Sequence, residues 1–339
     1  MIIRTRSYTR AALVGNPSDG YFGKTIAFLF HNFSAQVTLY ETPELEILPN
    51  NRDRSVYLSM PNLVEDVRRY GYYGGIRLLK ASITRFHDHC RQYAITLHKR
   101  NFTLRYESDI PHQVGLAGSS AIVTACIQAL CRFYDVTIPP AVQANLVLSV
   151  ENDELGISAG LQDRVAQAYG GMVSMDFDRD VMQEQGYGRY ESLDASLLPP
   201  IYIAYDASLA EQSAVFHNNI RDRFDRGERE VVDAMRFWAD LTDQVRDKLL
   251  AGERDAIGPL LNANFDKRRE IYRLSDRNIR MVETARSVGA SAKFSGSGGA
   301  IVGTYDDEAM YQRLEQALAA IEVRVLKPVL EPPQDDDAP

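Results

Sequence analysis

The sequence is poor in cysteine. Its three thiols, Cys90, Cys126 and Cys131, form no CxxC pair. An odd count without metal-ligand spacing argues against both a disulfide framework and a zinc site. Long apolar runs are also missing, so no segment reaches the length of a membrane span. The opening residues Met1-Ile2-Ile3-Arg4-Thr5-Arg6 read as a strand and not as a secretion signal. A cytoplasmic protein that engages no membrane is therefore expected. Basic charge is scarce as well: 38 Lys and Arg stand against 46 Asp and Glu, a formal charge of −8. Nucleic-acid backbones are held largely through basic surface, so a nucleic-acid partner is excluded. Such a chain holds an anionic substrate only through local clusters of Arg, Lys or backbone N–H groups. No internal repeat is visible, and 339 residues are too many for one compact core, which predicts two lobes.

The first third is rich in strand signals. Strands are expected at 11–14, 25–30, 35–40 and 55–58, with the turn cluster Asn16-Pro17-Ser18-Asp19-Gly20 between the first two. A helix over 75–93 and a strand over 102–106 follow. Ile122, Cys126, Ala129, Leu130 and Phe133 repeat at helical spacing and predict a helix over 121–133. Another is expected over 140–151, and one opens at Gly160-Leu161-Gln162-Asp163 and stops at Gly170-Gly171. Leu197-Leu198-Pro199-Pro200 reads as a linker to a strand at 201–205. Helices are predicted over 228–250, 257–271 and 278–288, the last ended by Gly289. Strands at 292–294 and 300–302 flank the loop Ser295-Gly296-Ser297-Gly298-Gly299. A final helix and a strand at 322–326 lead to an acidic, proline-containing tail, 331–339, that is expected to be disordered.

Two apparent motifs fail on context. Gly23-Lys24-Thr25 looks like the end of a Walker A loop, but Ser18 stands where the leading glycine belongs and a strand follows. His87-Asp88-His89-Cys90 lies on a predicted helix, where neighbours two apart do not share a face, so it reads as helix surface. The loop from Gly115 to Ser120 is the strongest signal. Its glycines let the backbone approach an anion, and the following helix offers N–H groups and a positive dipole end. Ser119 and Ser120 add hydroxyls. Glu151 and Asp163 supply two acids in the next helices, one suited to magnesium and one to proton transfer, as phosphoryl transfer to a hydroxyl commonly requires.

Three blocks, in this order, resemble the three motifs of the GHMP kinases: 10–19 (Arg10-Ala11-Ala12-Leu13-Val14-Gly15-Asn16-Pro17-Ser18-Asp19), Pro111 through Ala121, and Lys293 through Ala300. Gly15 to Gly23, Gly71 to Gly75, Gly160 to Gln167 and Asn264 to Arg269 are similar to the plant-type glucuronokinases within that family. The likeness runs from about Arg6 to about Leu326. The chain departs from many members at Ala117, where glycine is usual. It carries Asn16-Pro17 where galactokinase-like members carry Glu-His.

The resemblance implies a two-lobed α+β fold, with an ATP-binding amino-terminal domain over 1–195 and a ferredoxin-like carboxy-terminal domain over 196–330. It implies ATP and Mg²⁺ as cofactors, with ATP against Pro111, Gly115, Leu116, Ala117, Gly118, Ser119, Ser120 and Ala121. Ser120 and Glu151 would hold magnesium. Asp163 would take the proton of the attacking hydroxyl, and Arg10 would orient that hydroxyl or stabilise the transferred phosphoryl. Asp19, Tyr21 and Gly298 would contact the sugar, and Gly296 to Gly299 would support the phosphate loop. A uronic acid also needs a cation for its carboxylate, for which Arg268 and Arg269 are the candidates. The implied activity is a sugar-acid 1-kinase that forms glucuronate 1-phosphate, in a monomer or homodimer. The alternatives are galacturonate, fucose or a heptose as acceptor, or a non-catalytic sugar and nucleotide sensor. Retention of Arg10, Ser120, Glu151 and Asp163 speaks against the sensor.

Overall fold

The computed structural model describes residues 1–49, 74–206 and 218–332. The strand expected at 55–58, residues 71–73 of one glycine-rich block and the tail from 333 lie outside them. Two compact units divide the chain. The first takes Met1–Thr9, Phe33–Ile110 and Ala117–Ala168; the second takes Arg10–Asn32, Pro111–Leu116 and Tyr169–Pro339. The chain changes unit between residues 9 and 10, 32 and 33, 110 and 111, 116 and 117, and 168 and 169.

In the first unit, strand β1 (Ile2–Val14) begins with Ile3, Thr5, Ser7 and Thr9 buried in alternation, the period of a strand with one covered face. Strand β2 (Lys24–Thr42) is one element of 19 residues, where the sequence predicts two. Residues 31–34 contain no Gly or Pro to break it, and its halves have different partners. Ala35 to Thr42 pair antiparallel with β4 (Asn101–Ser108), and β3 (Glu46–Leu48) pairs parallel with β4. Helix α1 (Gly75–Gln92) packs on α2 (Gly118–Tyr134), which is buried on nearly every side. An all-round apolar helix is a core helix. Helix α3 (Pro140–Ser149) runs into a π-helical turn, Val150–Glu154, and α4 (Leu161–Tyr169) follows.

In the second unit, Lys24 to Phe28 pair with β5 (Met172–Asp176), which pairs with β6 (Arg189–Leu193) across the short helix α5 (Arg179–Gln185). The helix α6 (Asn218–Asp225) has no counterpart in the sequence reading. A separate antiparallel sheet has the order β10-β7-β9-β8, built from β7 (Ile201–Asp206), β8 (Lys293–Phe294), β9 (Ala300–Thr304) and β10 (Val323–Leu326). Helices α7 (Arg229–Leu250), α8 (Ile257–Ile271) and α9 (Asp276–Ser287) lie between its first and second strands, and α10 (Glu308–Ala319) precedes its last. Strand order fourth, first, third, second is the ferredoxin-like arrangement, so the α+β expectation is borne out. Tyr202, Phe265, Phe294, Ile301 and Leu314 form one core; Trp238, Met235, Ile271 and Tyr272 form another. Along α8, Ile257, Leu261, Phe265 and Ile271 share the buried face with Asn264 and Arg268.

Candidate active site

The first unit carries the serines and the two acids. Ala117 takes a left-handed conformation, φ 63°, at the entrance to α2. Its carbonyl accepts from Ala121 N, Ser120 Oγ and Gln167 Nε2, each at 3.1 Å. This pins the loop where the helix begins, and the first N–H groups of a helix have no acceptor within it. Ser119 Oγ donates to Glu151 Oε1 at 2.7 Å. The resemblance pairs Ser120 with Glu151 at a metal; the hydroxyl hydrogen-bonded to Glu151 is that of Ser119. Adjacent helical residues point about 100° apart, so when Ser119 faces Glu151, Ser120 turns inward, fully buried, to Ala117 O.

Glu151 lies in the π-helical turn and is 1% exposed. Arg164 Nη2 donates to its second oxygen, Oε2. The same guanidinium donates through Nη1 to Gly160 O at 2.9 Å and lies 3.3 Å from Asp163 Oδ2. Asp163 stands in the first turn of α4, where a carboxylate is favoured by the helix dipole. Asn152 clasps the connecting segment through both bonds to Ala159, at 2.9 and 3.2 Å. Magnesium favours oxygen ligands, and Glu151 Oε1 with Ser119 Oγ supplies a carboxylate and a hydroxyl side by side at the glycine loop, which fits.

The second unit carries the cations and the remaining loops. Arg10 is buried and donates from Nη1 to Ser295 O and, at 3.3 Å, to Gly115 O. Both acceptors are main-chain carbonyls, so these bonds tie the loop at Gly115 to the loop at Ser295. A Cβ on Gly296 would lie 2.4 Å from Gly115 O, and one on Gly115, at φ +69°, would lie 2.8 Å from Gly298 O. No side chain fits in that approach. Asn278 Oδ1 accepts from Gly299 N at 3.0 Å, and its amide lies under Gly298. Gly298 thus has a packing role against Asn278. Pro111 begins this segment and Leu116, 1% exposed, ends it, its carbonyl accepting from Arg10 N.

Asp19 and Tyr21 lie in a 3-10 turn, Ser18–Tyr21. Burial raises the pKa of the Tyr21 and Tyr272 phenols. Arg268 is 3% exposed and sits over Tyr272 and Phe294, 5.3 and 5.0 Å from the ring centroids. It donates to Gly296 O at 3.0 Å and Ser297 O at 3.5 Å, and its Nε is buried without a partner. Among the described residues no carboxylate forms an ion pair with it. Burial pulls its pKa below the ordinary value, and the charge of Asp19 acts in the opposite direction. Arg269 is half-exposed and pairs with Glu283 at 2.8 Å. Helical phase carries that distinction in the sequence: Arg268 continues the stripe of Leu261 and Phe265, and Arg269 lies off it.

Three contributors lie outside the candidates read from sequence. Arg164 bridges the two acids. Asn264 accepts from Gly15 N at 2.7 Å and donates to Asn16 O at 3.1 Å, fixing the first glycine turn. Lys293 is buried, and Nζ donates to Ala12 O at 2.6 Å and Phe294 O at 2.7 Å. Desolvation, with the charges of Arg268 and Arg10, pulls its pKa well below the ordinary value. A polar residue on an apolar stripe is the sequence signal for Asn264; Lys293 has no such signal.

Residues 77–171 match the family described as GHMP kinases N terminal domain, and residues 245–322 match GHMP kinases C terminal. The chain is 44% identical over 306 residues to Glucuronokinase 1 of Arabidopsis thaliana, covering 88% of this chain and 84% of that protein. Probable glucuronokinase 2 of the same plant is 44% identical over 308 residues, covering 89% and 84%. Among solved structures, Methanococcus jannaschii mevalonate kinase superposes with a TM-score of 0.68 at 20% identity, covering 98% of each chain. At that identity the likeness concerns the fold.

Proposed function

The chain belongs to the GHMP kinase family, and on that premise we propose that it transfers the γ-phosphoryl group of ATP to the anomeric hydroxyl of glucuronate. The family supplies the ATP-dependent chemistry. The observation that supports a sugar acid is Arg268: a buried guanidinium that, among the described residues, has no carboxylate in ion-pair contact and no partner for its Nε. A buried cation is stabilised by an anion with matching hydrogen-bond geometry. A uronate carboxylate meets that requirement, and a neutral sugar does not.

In the proposed reaction, Asp163 accepts the proton of the anomeric hydroxyl as its oxygen bonds to the γ-phosphorus. The bond from that phosphorus to the bridging oxygen breaks, leaving ADP and glucuronate 1-phosphate. A positioned base contributes about 10²–10⁴ in rate. Glu151 and Ser119 are assigned to the metal in place of the pair Ser120 and Glu151. Bound there, magnesium neutralises charge on the phosphates. The backbone of 115–120 receives the phosphates, and Arg10 keeps the loop in place through Gly115 O and Ser295 O. Asp19 and Tyr21 are assigned to sugar hydroxyls.

Domain limits of 1–195 and 196–330 are proposed for the two family segments, which fall inside them. A cytoplasmic location is proposed from the free thiols Cys90, Cys126 and Cys131. Among the described residues no helix is long and apolar enough to cross a membrane. The test is ATP consumption against a panel of sugars and sugar acids, with phosphorus NMR to locate the phosphate. Glucuronate is expected to give the highest kcat/KM and an anomeric phosphate. A preference for a neutral sugar would overturn the substrate and leave the family.

A further inference from the structure

Glu151 and Asp163 lie on separate helical segments, and one side chain touches both. Arg164 is 4% exposed; it meets Glu151 through Nη2 and approaches Asp163 Oδ2 through Nη1, and its bond to Gly160 O holds the fork against the start of α4. Glu151 is itself 1% exposed and holds Ser119 through its other oxygen. A single line of contacts therefore runs from the helix that opens the glycine loop, through Glu151 and Arg164, to Asp163.

The physical chemistry selects arginine here. A carboxylate as buried as Glu151 is tolerated when a cation compensates it. Two acids near one guanidinium repel each other less than two acids alone. A planar fork also fixes direction: one nitrogen claims Oε2 of Glu151 and another lies on Oδ2 of Asp163, which sets the rotamer of each. Lysine supplies the charge without the fork.

We propose that Arg164 is a positioning residue for phosphoryl transfer. It sets the orientation of the proton acceptor Asp163 and turns Glu151 Oε1, beside Ser119 Oγ, toward a divalent ion. It acts through Asp163 and Glu151, the acids that its guanidinium meets. The proposal rests on the kinase reading given above.

Arg164→Lys, Arg164→Met and the double variant Arg164→Met/Asp163→Asn test it in the full chain, on the acceptor that the wild type uses best. Measured are kcat, the KM values for ATP and acceptor, the Mn²⁺ dissociation constant by electron paramagnetic resonance, and the thermal midpoint. Loss of an outer-shell partner changes metal affinity or activity by about 10–100-fold, and misplacement of a catalytic group by an ångström costs about 10²-fold. Arg164→Met is expected to lose kcat on that scale and to weaken Mn²⁺ binding, with both KM values nearly unchanged. In the Asp163→Asn background its effect on kcat should be smaller, because only the part that acts through Glu151 remains. Arg164→Lys, which keeps the buried charge, should still lose kcat about tenfold. Full kcat in folded Arg164→Lys, unchanged Mn²⁺ binding, or equal losses in both Asp163 backgrounds would each overturn the proposal. A wild type inactive on every sugar would instead overturn the kinase reading itself.

Discussion

Replacing Arg268 with methionine removes the guanidinium and keeps most of the stem that packs on Tyr272 and Phe294. Two losses follow, and they separate by substrate. The first is structural: the bonds to Gly296 O and Ser297 O disappear, and both are carbonyls of the third glycine loop. That loss falls on every acceptor alike. The second falls only on an acid. Truncating one partner of a buried charge pair costs about 2–5 kcal/mol, which is roughly 30- to 5,000-fold in kcat/KM. The quantity to measure is the ratio of kcat/KM for glucuronate to that for glucose, in wild type and variant. It should fall by that factor, while Arg269→Ala, which removes a half-exposed pair with Glu283, leaves it unchanged. An unchanged ratio in folded Arg268→Met would refute the reasoning, because the buried cation would then serve the loop alone.

Asp163→Asn should bind ATP nearly normally and lose about two to four decades of turnover; near wild-type turnover removes Asp163 from the mechanism. Gly118→Val should weaken nucleotide binding by obstructing the phosphates. Because a Cβ there also meets Ile110 at 3.3 Å, the titration is read beside a thermal melt, and unchanged affinity in a folded variant makes the loop structural only. Lys293 binds fewer protons when folded than when unfolded between its depressed pKa and about 10.5. Stability therefore rises with pH across that window and is lost as pH falls through it. Denaturant midpoints of Lys293→Met should show a shallower rise from neutral to alkaline pH than wild type, and identical slopes would mean that Lys293 stays charged when folded.

Much of the fold was legible because its signals are local. The buried face of α8 follows from the spacing of Ile257, Leu261, Phe265 and Ile271, and the glycine loop announces the start of α2. The fusion of two expected strands into β2 was not legible, since a long strand paired on each half with a different partner looks like two short ones. Choosing between Ser119 and Ser120 depends on a rotation of 100° about α2. Arg164 was equally hidden. It stands in the block Gly160 to Gln167 with no role attached, and the approach of the π-helical turn gives it Glu151 as a partner.

The charge distribution joins the sequence to the substrate. A net charge of −8 keeps anions away unless the chain concentrates cations locally. The second unit does so with Arg10, Arg268 and Lys293, all buried, and with Asp19 as the carboxylate whose charge acts on both Arg268 and Lys293. Holding three basic groups out of water is unfavourable unless each is matched by hydrogen bonds or an anion. Lys293 meets this through two carbonyls and a depressed pKa, and Arg10 through the carbonyls of two loops. Arg268 combines burial, an Nε without a hydrogen-bond partner and contacts with two aromatic rings, Tyr272 and Phe294. On the proposed function, the carboxylate of a sugar acid supplies the acceptor that the Arg268 Nε lacks.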